Sequence, residues 1–281
     1  MPLEHKLFVT PQIPQSGRGP LPDGSTRMWS PITSTLIMGR RDAVLVDPPL
    51  TTQAAEVGDW VAASGRELRQ IYVTHGHGDH WFGAIPLLQK FPGAIVRATK
   101  GTAELMQAQN DPQFRADFWD RVFPGQVPAG ELEVTPVDEC GFELEEVALV
   151  PVEVGHTDTD ATTMLHVPEV GLLVAGDVVY NGVHLYLTES GGVNGIDEWL
   201  AALDTAEALN PATVIAGHKD SRAFDNPAQI QATRRYLTDA RRLLESSGSA
   251  EEFYEAMLRL QPNRLNPGAL WGAAITLFPA A

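Results

Sequence analysis

The stretch Gln70-Ile-Tyr-Val-Thr-His75-Gly76-His77-Gly78-Asp79-His80 joins an apolar run to a cluster of potential metal ligands. The short apolar part, rich in β-branched and aromatic residues, predicts a buried strand. Three histidines and one aspartate follow, and borderline divalent metals prefer imidazole nitrogen and carboxylate oxygen as ligands. The interleaved glycines permit a sharp turn that brings alternate side chains to one point. The sequence therefore predicts a metal site at the end of this strand.

Three further candidate ligands occur in the same setting, each directly after an apolar run that ends in glycine. Residues 150–155 lead to His156, residues 171–176 lead to Asp177, and residues 213–217 lead to His218. A lone histidine at a strand end is usually structural. Three such endings, in register with a histidine-rich turn, indicate one shared centre.

The remaining pattern predicts an α/β protein. Apolar runs indicate strands at 33–38, 43–47, 70–74, 94–98, 147–154, 162–167, 171–175 and 213–216. Helical spacing indicates helices at 53–64, 81–90, 101–109, 112–122, 196–208, 227–246 and 250–260. Clusters of strands separated by helices favour two packed sheets with helices outside. Residues 10–31, rich in Pro, Gly and Ser, are interpreted as an irregular surface loop.

The order His-x-His-x-Asp-His, then His, Asp and His, resembles the metallo-β-lactamase superfamily over about residues 33–220. Within this superfamily the pattern most resembles the glyoxalase II and quorum-quenching lactonase branch, because an Asp follows Gly176. The resemblance implies an αββα sandwich of two mixed β-sheets flanked by helices, with the metal site at the sheet edge. It implies two Zn²⁺ ions, with Fe or Mn as alternatives. One ion would be held by His75, His77 and His156, the other by Asp79, His80 and His218, with Asp177 bridging both.

The resemblance also implies a domain organisation. We expect a single metallo-β-lactamase-like domain over residues 1–281, with its core at about 33–220 and a helical extension at about 222–281. The C-terminal stretch 270–278 is apolar for a chain end. It could pack on the core, form a dimer contact or cover the pocket, and the sequence leaves these alternatives open.

The implied function is that of a dinuclear metal-dependent hydrolase, in which a metal-bridging hydroxide attacks the carbonyl of a lactone or other ester. A β-lactam or thioester hydrolase on the same site is an alternative. The commonest zinc β-lactamases, however, carry Cys where this chain has Asp177, and no basic residues that would grip glutathione are identifiable. A mono-iron persulfide-type dioxygenase is an alternative of another class, which iron content and oxygen uptake would identify.

Three residues are candidates for catalysis. Asp79 could orient the nucleophile as well as bind metal. Tyr180 lies three residues after Asp177, a spacing at which related lactonases place a tyrosine that hydrogen-bonds the substrate carbonyl or oxyanion. Its alternative is a tyrosine packed on a loop. His184 is a candidate for the pocket, with a structural histidine as the alternative.

The sequence departs from its relatives directly after His156. Their turn carries Pro and Gly, whereas this chain has Thr157-Asp158-Thr159-Asp160. We interpret the two aspartates as turn residues. Support of a metal-bound histidine is the alternative for either carboxylate.

Composition limits the partners. A net charge of -16 disfavours a sequence-independent grip on nucleic acid or an anionic membrane, so we expect a small-molecule substrate. The one cysteine, Cys140, excludes an intramolecular disulfide and a thiolate-rich metal site. The start lacks the pattern of a secretory signal, and no apolar run approaches membrane-spanning length. We therefore expect a cytoplasmic protein, with a homodimer left open.

Overall fold

The computed structural model of the protein describes residues 3–279. The strands are β1 (Glu4–Val9), β2 (Ile13–Pro14), β3 (Met28–Trp29), β4 (Thr33–Met38), β5 (Asp42–Val46), β6 (Glu67–Tyr72), β7 (Ile95–Ala98), β8 (Val134–Pro136), β9 (Phe142–Leu144), β10 (Val147–Gly155), β11 (Thr162–Val167), β12 (Leu172–Asn181) and β13 (Thr213–Lys219). The α-helices are α1 (Thr51–Ala63), α2 (Ala84–Lys90), α3 (Lys100–Gln109), α4 (Pro112–Phe114), α5 (Asp120–Val122), α6 (Gly192–Ala208), α7 (Ala228–Ser246), α8 (Ala250–Leu260) and α9 (Pro267–Leu277). A π-helical turn, Arg115–Trp119, joins α4 to α5, and 3₁₀ turns cover Gly78–His80 and Pro168–Val170.

Two mixed sheets form the centre of the protein. The six-stranded sheet has the order β1-β4-β5-β6-β7-β8, in which β5 to β8 are parallel and β1, β4 and β5 pair antiparallel. The five-stranded sheet has the order β13-β12-β11-β10-β9, in which only β12 and β13 pair in parallel. Strands β2 and β3 form a separate antiparallel pair.

Alternating side chains bury both faces of each sheet. In β5, Val44 and Val46 point into the layer between the sheets, while Ala43 and Leu45 face the helices outside. This two-residue period is the pattern of a strand with two covered faces. Helices α1 and α2 cover the six-stranded sheet, and α6 to α9 cover the five-stranded one. The predicted αββα sandwich is confirmed, with its C-terminal helices packed on the core.

A buried hydrogen-bond cluster joins the two sheets beside the loop that follows β6. The backbone N–H and the hydroxyl of Thr163 both donate to the Thr74 carbonyl oxygen, at 2.9 and 2.7 Å. The Tyr72 hydroxyl lies 2.8 Å from the Thr163 hydroxyl, which is therefore free to accept. Because Thr74 directly precedes His75, this cluster fixes the start of the histidine-rich loop against the second sheet.

Most predicted elements occur, but several short strands were not predicted and the bounds of others differ from the prediction. Strands β1, β2, β3, β8 and β9 were not predicted, because they are short or exposed and carry little apolar alternation. Strand β12 runs six residues beyond the predicted end at 175, so Asp177 lies within a strand rather than after it. In residues 3–279, none of the helices combines the length and apolar character needed to cross a bilayer.

Replacing Thr163 with Val should destabilise the fold without changing side-chain volume. The substitution leaves the buried Tyr72 hydroxyl and the Thr74 carbonyl each short of a hydrogen bond, at a cost of about 1–3 kcal/mol. The free energy of unfolding from urea titration measures this. Thr205→Val, on the exposed face of α6, is the matched control and should change stability by less than about 0.5 kcal/mol. Equal effects of the two substitutions would contradict a structural role for the cluster.

Candidate metal centre

The loop of residues 75–80 turns so tightly that two of its positions accept only glycine. A Cβ on Gly76 would lie 2.4 Å from Leu105 Cβ, and one on Gly78 would lie 2.1 Å from the Phe82 ring. Both distances are far below van der Waals contact. The polar side chains of the loop are all buried: His75, His77, Asp79 and His80. The loop therefore folds its four candidate ligands inward.

The neighbouring strands β12 and β13 carry two more candidates. Asp177 lies in β12 after Gly176, whose φ of 50° is in the left-handed region that favours glycine. His218 lies in β13 after Gly217, where a Cβ would lie 2.1 Å from Asp177 Oδ1. The two glycines let the parallel strands bring carboxylate and imidazole to the same edge.

One group of converging donor atoms, here named site 2, consists of Asp79, His80 and His218. The two histidine Nε2 atoms are 3.4 Å apart. Asp79 Oδ2 lies 3.7 Å from His218 Nε2 and 3.9 Å from His80 Nε2. Ligand atoms on a tetrahedral zinc ion, with bonds of about 2.0–2.1 Å, are separated by about 3.3 Å. The donor atoms of site 2 are therefore slightly farther apart than the ligand atoms of a bound zinc ion.

A second group, here named site 1, consists of His75, His77 and Asp158. Asp158 Oδ2 lies 3.0 Å from His77 Nδ1 and 3.8 Å from His75 Nε2. All three side chains are buried. Asp158, which the sequence suggested as a turn residue, thus lies beside the two histidines.

His156 lies outside both groups. Its Nδ1 is 2.7 Å from Asp160 Oδ1, and its ring lies against the start of α6, where a Cβ on Gly195 would be 2.8 Å from Nε2. His156 is partly exposed, whereas Asp158 is fully buried. The expected grouping of His156 with His75 is therefore not the one that this structure brings together.

Asp177 lies between the two sites. Its Oδ1 is 3.4 Å from His80 Nε2, and its Oδ2 is 3.1 Å from His218 Nε2. Donor atoms of His75, His80 and Asp177 also fall within 4.8 Å of one another. This is the position expected of a carboxylate that two cations share.

The donor chemistry fits divalent metal ions. Among the described side chains, five buried donor atoms of the candidate residues have no hydrogen-bond partner: His75 Nε2, His80 Nδ1, His156 Nε2, Asp158 Oδ2 and Asp177 Oδ1. A buried polar atom without a partner costs free energy, so a structure keeps it where something else satisfies it. Nitrogen and oxygen donors that converge at these spacings suit zinc, iron or manganese.

Contacts on the far side of two rings fix which nitrogen faces the centre. His218 Nδ1 lies 2.7 Å from the Pro31 carbonyl oxygen, which only accepts, so Nδ1 carries the proton and Nε2 presents its lone pair. His80 Nδ1 lies 3.3 Å from Asp47 Oδ2. Asp47 in turn accepts from the backbone N–H of Thr74 at 2.9 Å. Asp47 thus contacts both His80 and the residue that precedes the histidine-rich loop.

The two histidines of site 1 are also held from behind. His75 Nδ1 lies 3.0 Å from the Thr74 hydroxyl, and His77 Nε2 lies 3.3 Å from Glu189 Oε2. His77 therefore presents Nδ1 to the centre and His75 presents Nε2. Such partners orient metal ligands and raise their basicity.

The pKa values reflect an excess of buried negative charge. Burial alone would lower the pKa of His80, but the Asp177 carboxylate and, to a smaller extent, that of Asp79 raise it to about 10. Burial alone would raise the pKa of Asp177, yet His218 and His80 lower it well below its ordinary value. Burial, with His80 next, lowers the pKa of His75 to about 3. The carboxylates thus require positive charge nearby, which protons or metal ions supply.

Tyr180 supports Asp177 rather than facing the cavity. Its fully buried hydroxyl donates to Asp177 Oδ2 at 2.5 Å. Burial and the Asp177 carboxylate raise the pKa of Tyr180 well above its ordinary value, so the phenol keeps its proton. Its ring packs 5.3 Å from that of His218. The position is that of a residue that holds the shared carboxylate.

His184 is a structural histidine in this fold. Its Nδ1 lies 3.0 Å from the Tyr236 hydroxyl, and its backbone N–H donates to the Leu265 carbonyl. Burial, with Arg264 next, lowers the pKa of His184 to about 3, so the ring is neutral. It lies between Val183 and Leu185 at the edge of the helical layer, which explains why the expected pocket position is not found.

A narrow cavity opens onto the centre, with His77, Asp79, Asp177 and His218 at its floor. Trp29, Phe118 and Trp119 form an aromatic wall, with the Trp29 and Trp119 rings 5.7 Å apart. The Trp29 indole N–H donates to Asp79 Oδ2 at 2.8 Å. Tyr186 and Glu189 also line this cavity.

The far end of the cavity is polar and basic. Arg27 is almost fully buried, and its Nη1 and Nη2 donate to the Arg18 and Gly268 carbonyl oxygens at 3.0 and 2.9 Å. Burial and the neighbouring Arg18 lower the pKa of Arg27 to about 10, which still leaves it charged at neutral pH. The small residues Gly268 and Gly272 of α9 line this end, so the C-terminal helix packs on the core and also walls the cavity.

The sequence did not identify these basic residues, because they belong to the stretch 10–31 that was interpreted as a surface loop. Of this stretch, Leu21 and Arg27 are buried, and β3 carries Trp29 to the centre. The signal that could have found them is the sequence Arg27-Met-Trp29, which places a large aromatic residue inside an otherwise polar stretch.

Replacing Tyr180 with Phe should weaken metal binding about 10- to 100-fold, because supporting partners of metal ligands contribute on that scale. Competition with a chromophoric chelator measures the affinity. Tyr236→Phe removes a buried hydroxyl that contacts no candidate ligand, and serves as the control. Turnover of Tyr180→Phe should recover when excess metal is added. Unaltered affinity together with a lost rate would instead assign the hydroxyl a direct role in the reaction.

Comparison with known proteins agrees with this geometry. The family model described as the metallo-beta-lactamase superfamily matches residues 27–218. A hydroxyacylglutathione hydrolase of Synechococcus sp. (strain JA-3-3Ab) is 29% identical over 171 residues, which are 61% of this chain and 56% of that relative. The match therefore spans little more than half of the relative's length.

Solved structures share the fold at low identity. A beta-lactamase domain protein from Burkholderia ambifaria superposes with a TM-score of 0.64 at 19% identity, covering 92% of this chain and 82% of that one. A metallo-beta-lactamase family protein from Thermus thermophilus superposes with a TM-score of 0.59 at 20% identity, covering 96% of this chain and 91% of that one. With the family model matching over the two sheets and the histidine-rich loop, the chain belongs to the metallo-beta-lactamase superfamily.

Proposed function

We propose that the protein is a dinuclear metal-dependent hydrolase that directs water to the carbonyl carbon of a lactone or other carboxylic ester and cleaves its acyl C–O single bond. The observation that carries this proposal is the pair of converging donor groups, site 1 and site 2, with Asp177 between them at the floor of a cavity. Zinc ions bound to both groups would make a shared water acidic near neutral pH and would polarise the substrate carbonyl.

The residues around the centre have distinct tasks in this proposal. Asp177 holds the two sites at a fixed separation, and the Tyr180 hydroxyl fixes its orientation. Asp79 reaches the cavity floor and is held there by the Trp29 indole N–H at 2.8 Å, so it can orient the attacking water. The aromatic wall excludes bulk water from the reacting carbonyl.

The cavity favours a substrate with an apolar body and a polar or anionic end. Trp29, Phe118 and Trp119 offer apolar surface near the metal sites, and Arg27 lies at the other end. Apart from Asp177 Oδ1, and among the described residues, four buried polar atoms in the cavity lining lack a hydrogen-bond partner: Gln15 Oε1, Arg27 Nε, Thr188 Oγ1 and Asn266 Oδ1. Such atoms are satisfied by ligand or by water in the working protein.

A thioester is the second candidate substrate, and the same basic end favours it. The similar Synechococcus protein is a hydroxyacylglutathione hydrolase, and a hydroxyacylglutathione is a thioester whose glutathione part carries carboxylates. Arg18 and Arg27 could pair with such a carboxylate. The argument from the sequence against a thioester rested on the apparent lack of these residues.

The direct test is a substrate screen with metal-quantified protein against lactones, esters, thioesters and β-lactams. We expect turnover of an ester or lactone that is abolished by a chelator and restored by zinc. Asp177→Ala is the matched inactive variant, since it removes the shared carboxylate, and it should lose most metal and nearly all turnover. Hydrolysis that persists in chelator or in Asp177→Ala at the wild-type rate would refute the proposal.

Arg27→Met tests the basic end of the cavity with a matched pair of substrates, one bearing a carboxylate and one neutral. The lost charge-assisted hydrogen bond should raise KM for the anionic substrate about 10- to 100-fold and leave the neutral one nearly unchanged. Arg222→Met, at an exposed position, is the control. A uniform loss for both substrates would indicate that Arg27 serves folding rather than recognition, and thermal melting would detect that loss.

A further inference from the structure

We infer that Asp158, and not His156, completes the metal-binding set of site 1 with His75 and His77. This inference rests on the proposed metal-dependent function but goes beyond it, because it changes the ligands and charge of the centre. It also replaces the ligand that the family resemblance implied at this position.

The contact between Asp158 and His77 lacks the geometry of a hydrogen bond. Asp158 Oδ2 lies only 3.0 Å from His77 Nδ1, yet among the described residues it has no hydrogen-bond partner. The ring N–H therefore does not point at the oxygen. His77 Nε2 already faces Glu189 Oε2 at 3.3 Å, which leaves the lone pair of Nδ1 for the centre. A metal ion at this position would accept the lone pair of Nδ1 and that of Oδ2 together.

The other oxygen of Asp158 is anchored. The Thr157 hydroxyl lies 2.9 Å from Asp158 Oδ1 and also 2.9 Å from the Thr162 hydroxyl. Only Oδ2 remains for the metal. An ionised carboxylate that is fully buried carries a large desolvation cost unless a positive charge compensates it.

His156 has the contacts of a residue beside the centre rather than in it. Its Nδ1 is engaged by Asp160 at 2.7 Å. Its Nε2 is buried and, like Asp158 Oδ2, has no hydrogen-bond partner among the described residues, but it lies beside Gly195 at the start of α6 and outside the groups of converging donor atoms. β10 ends at Gly155, where the pairing with β11 is irregular and φ is 78°. This irregular end turns His156 away and lets the segment that follows carry Asp158 inward.

The use of Asp158 in place of His156 as a ligand changes the charge and the metal preference of the centre. Asp158 adds a third carboxylate to those of Asp79 and Asp177, so the loaded centre carries one positive charge less than a set with His156 would give. A carboxylate oxygen is also a harder ligand, in the sense of hard and soft Lewis bases, than an imidazole nitrogen. It therefore favours manganese or iron relative to zinc at site 1. We therefore expect site 1 to discriminate less strongly in favour of zinc than a set of three histidines, His75, His77 and His156, would.

Matched variants of the full chain test the assignment through metal content. After dialysis against zinc and removal of excess, Asp158→Ala should hold one metal per chain where the wild type holds two, with affinity at site 1 lower by at least about 100-fold. His156→Ala should keep both metals. Retention of both metals by Asp158→Ala, with loss in His156→Ala, would overturn the inference while leaving the proposed hydrolase intact.

Two further measurements keep the outcome independent of folding. Asp158→His supplies a new imidazole at the same position, so X-ray absorption of the zinc-loaded variant should count one more histidine ligand than the wild type. Asp158→Asn retains the shape but not the charge, and should lose the metal while circular dichroism stays unchanged. An unchanged ligand count in Asp158→His would contradict the assignment. Absence of metal from the wild type itself would instead contradict the proposed function.

Discussion

Buried negative charge that demands a compensating cation is the constraint on which the centre of this protein depends. Asp79, Asp158 and Asp177 are removed from water at the edge where the two sheets meet. Isolated carboxylates in such surroundings would be costly. The surrounding imidazoles of His75, His77, His80 and His218 each have a contact on the far side of the ring, and each turns its other nitrogen toward these carboxylates, as metal ligands do. The chemistry of the site follows from this electrostatic requirement.

The fold meets the requirement through close backbone approach. Gly76, Gly78 and Gly217 stand where a Cβ would collide with Leu105, Phe82 or Asp177. The cluster of Tyr72, Thr74 and Thr163 then holds the loop against the other sheet. Neither sheet alone could form the centre, because site 1 and site 2 draw their ligands from both. Stability of the sandwich and geometry of the site are thus coupled through the same few residues.

Much of this architecture could be predicted from the sequence, for identifiable reasons. The stretches predicted as strands at 33–38 and 162–167 match β4 and β11 residue for residue, because each continues from hydroxyl-bearing residues into apolar ones and is bounded by turn residues. The His-rich loop, Asp177 and His218 were also found, since each follows a short apolar run in the sequence, although Asp177 and His218 lie within β12 and β13. A glycine directly before a candidate ligand is a local feature that can be read from the sequence.

The rest depends on contacts between distant segments. No local pattern distinguishes His156 from Asp158, because the irregular end of β10 decides which side chain turns inward. Arg27 lies in a stretch with loop composition, and one of its two backbone partners, Gly268 of α9, is more than 200 residues away in the sequence. Tyr180 was identified by its spacing, but its hydroxyl direction toward Asp177 depends on the strand that carries it. Such assignments require the assembled sheets.

Elemental analysis of the wild-type protein, purified without added metal and again after zinc loading, tests the central claim most directly. The arrangement of donors predicts bound transition metal that rises to two ions per chain at saturation. Protein that is well folded, yet contains no transition metal and takes up none, would contradict it.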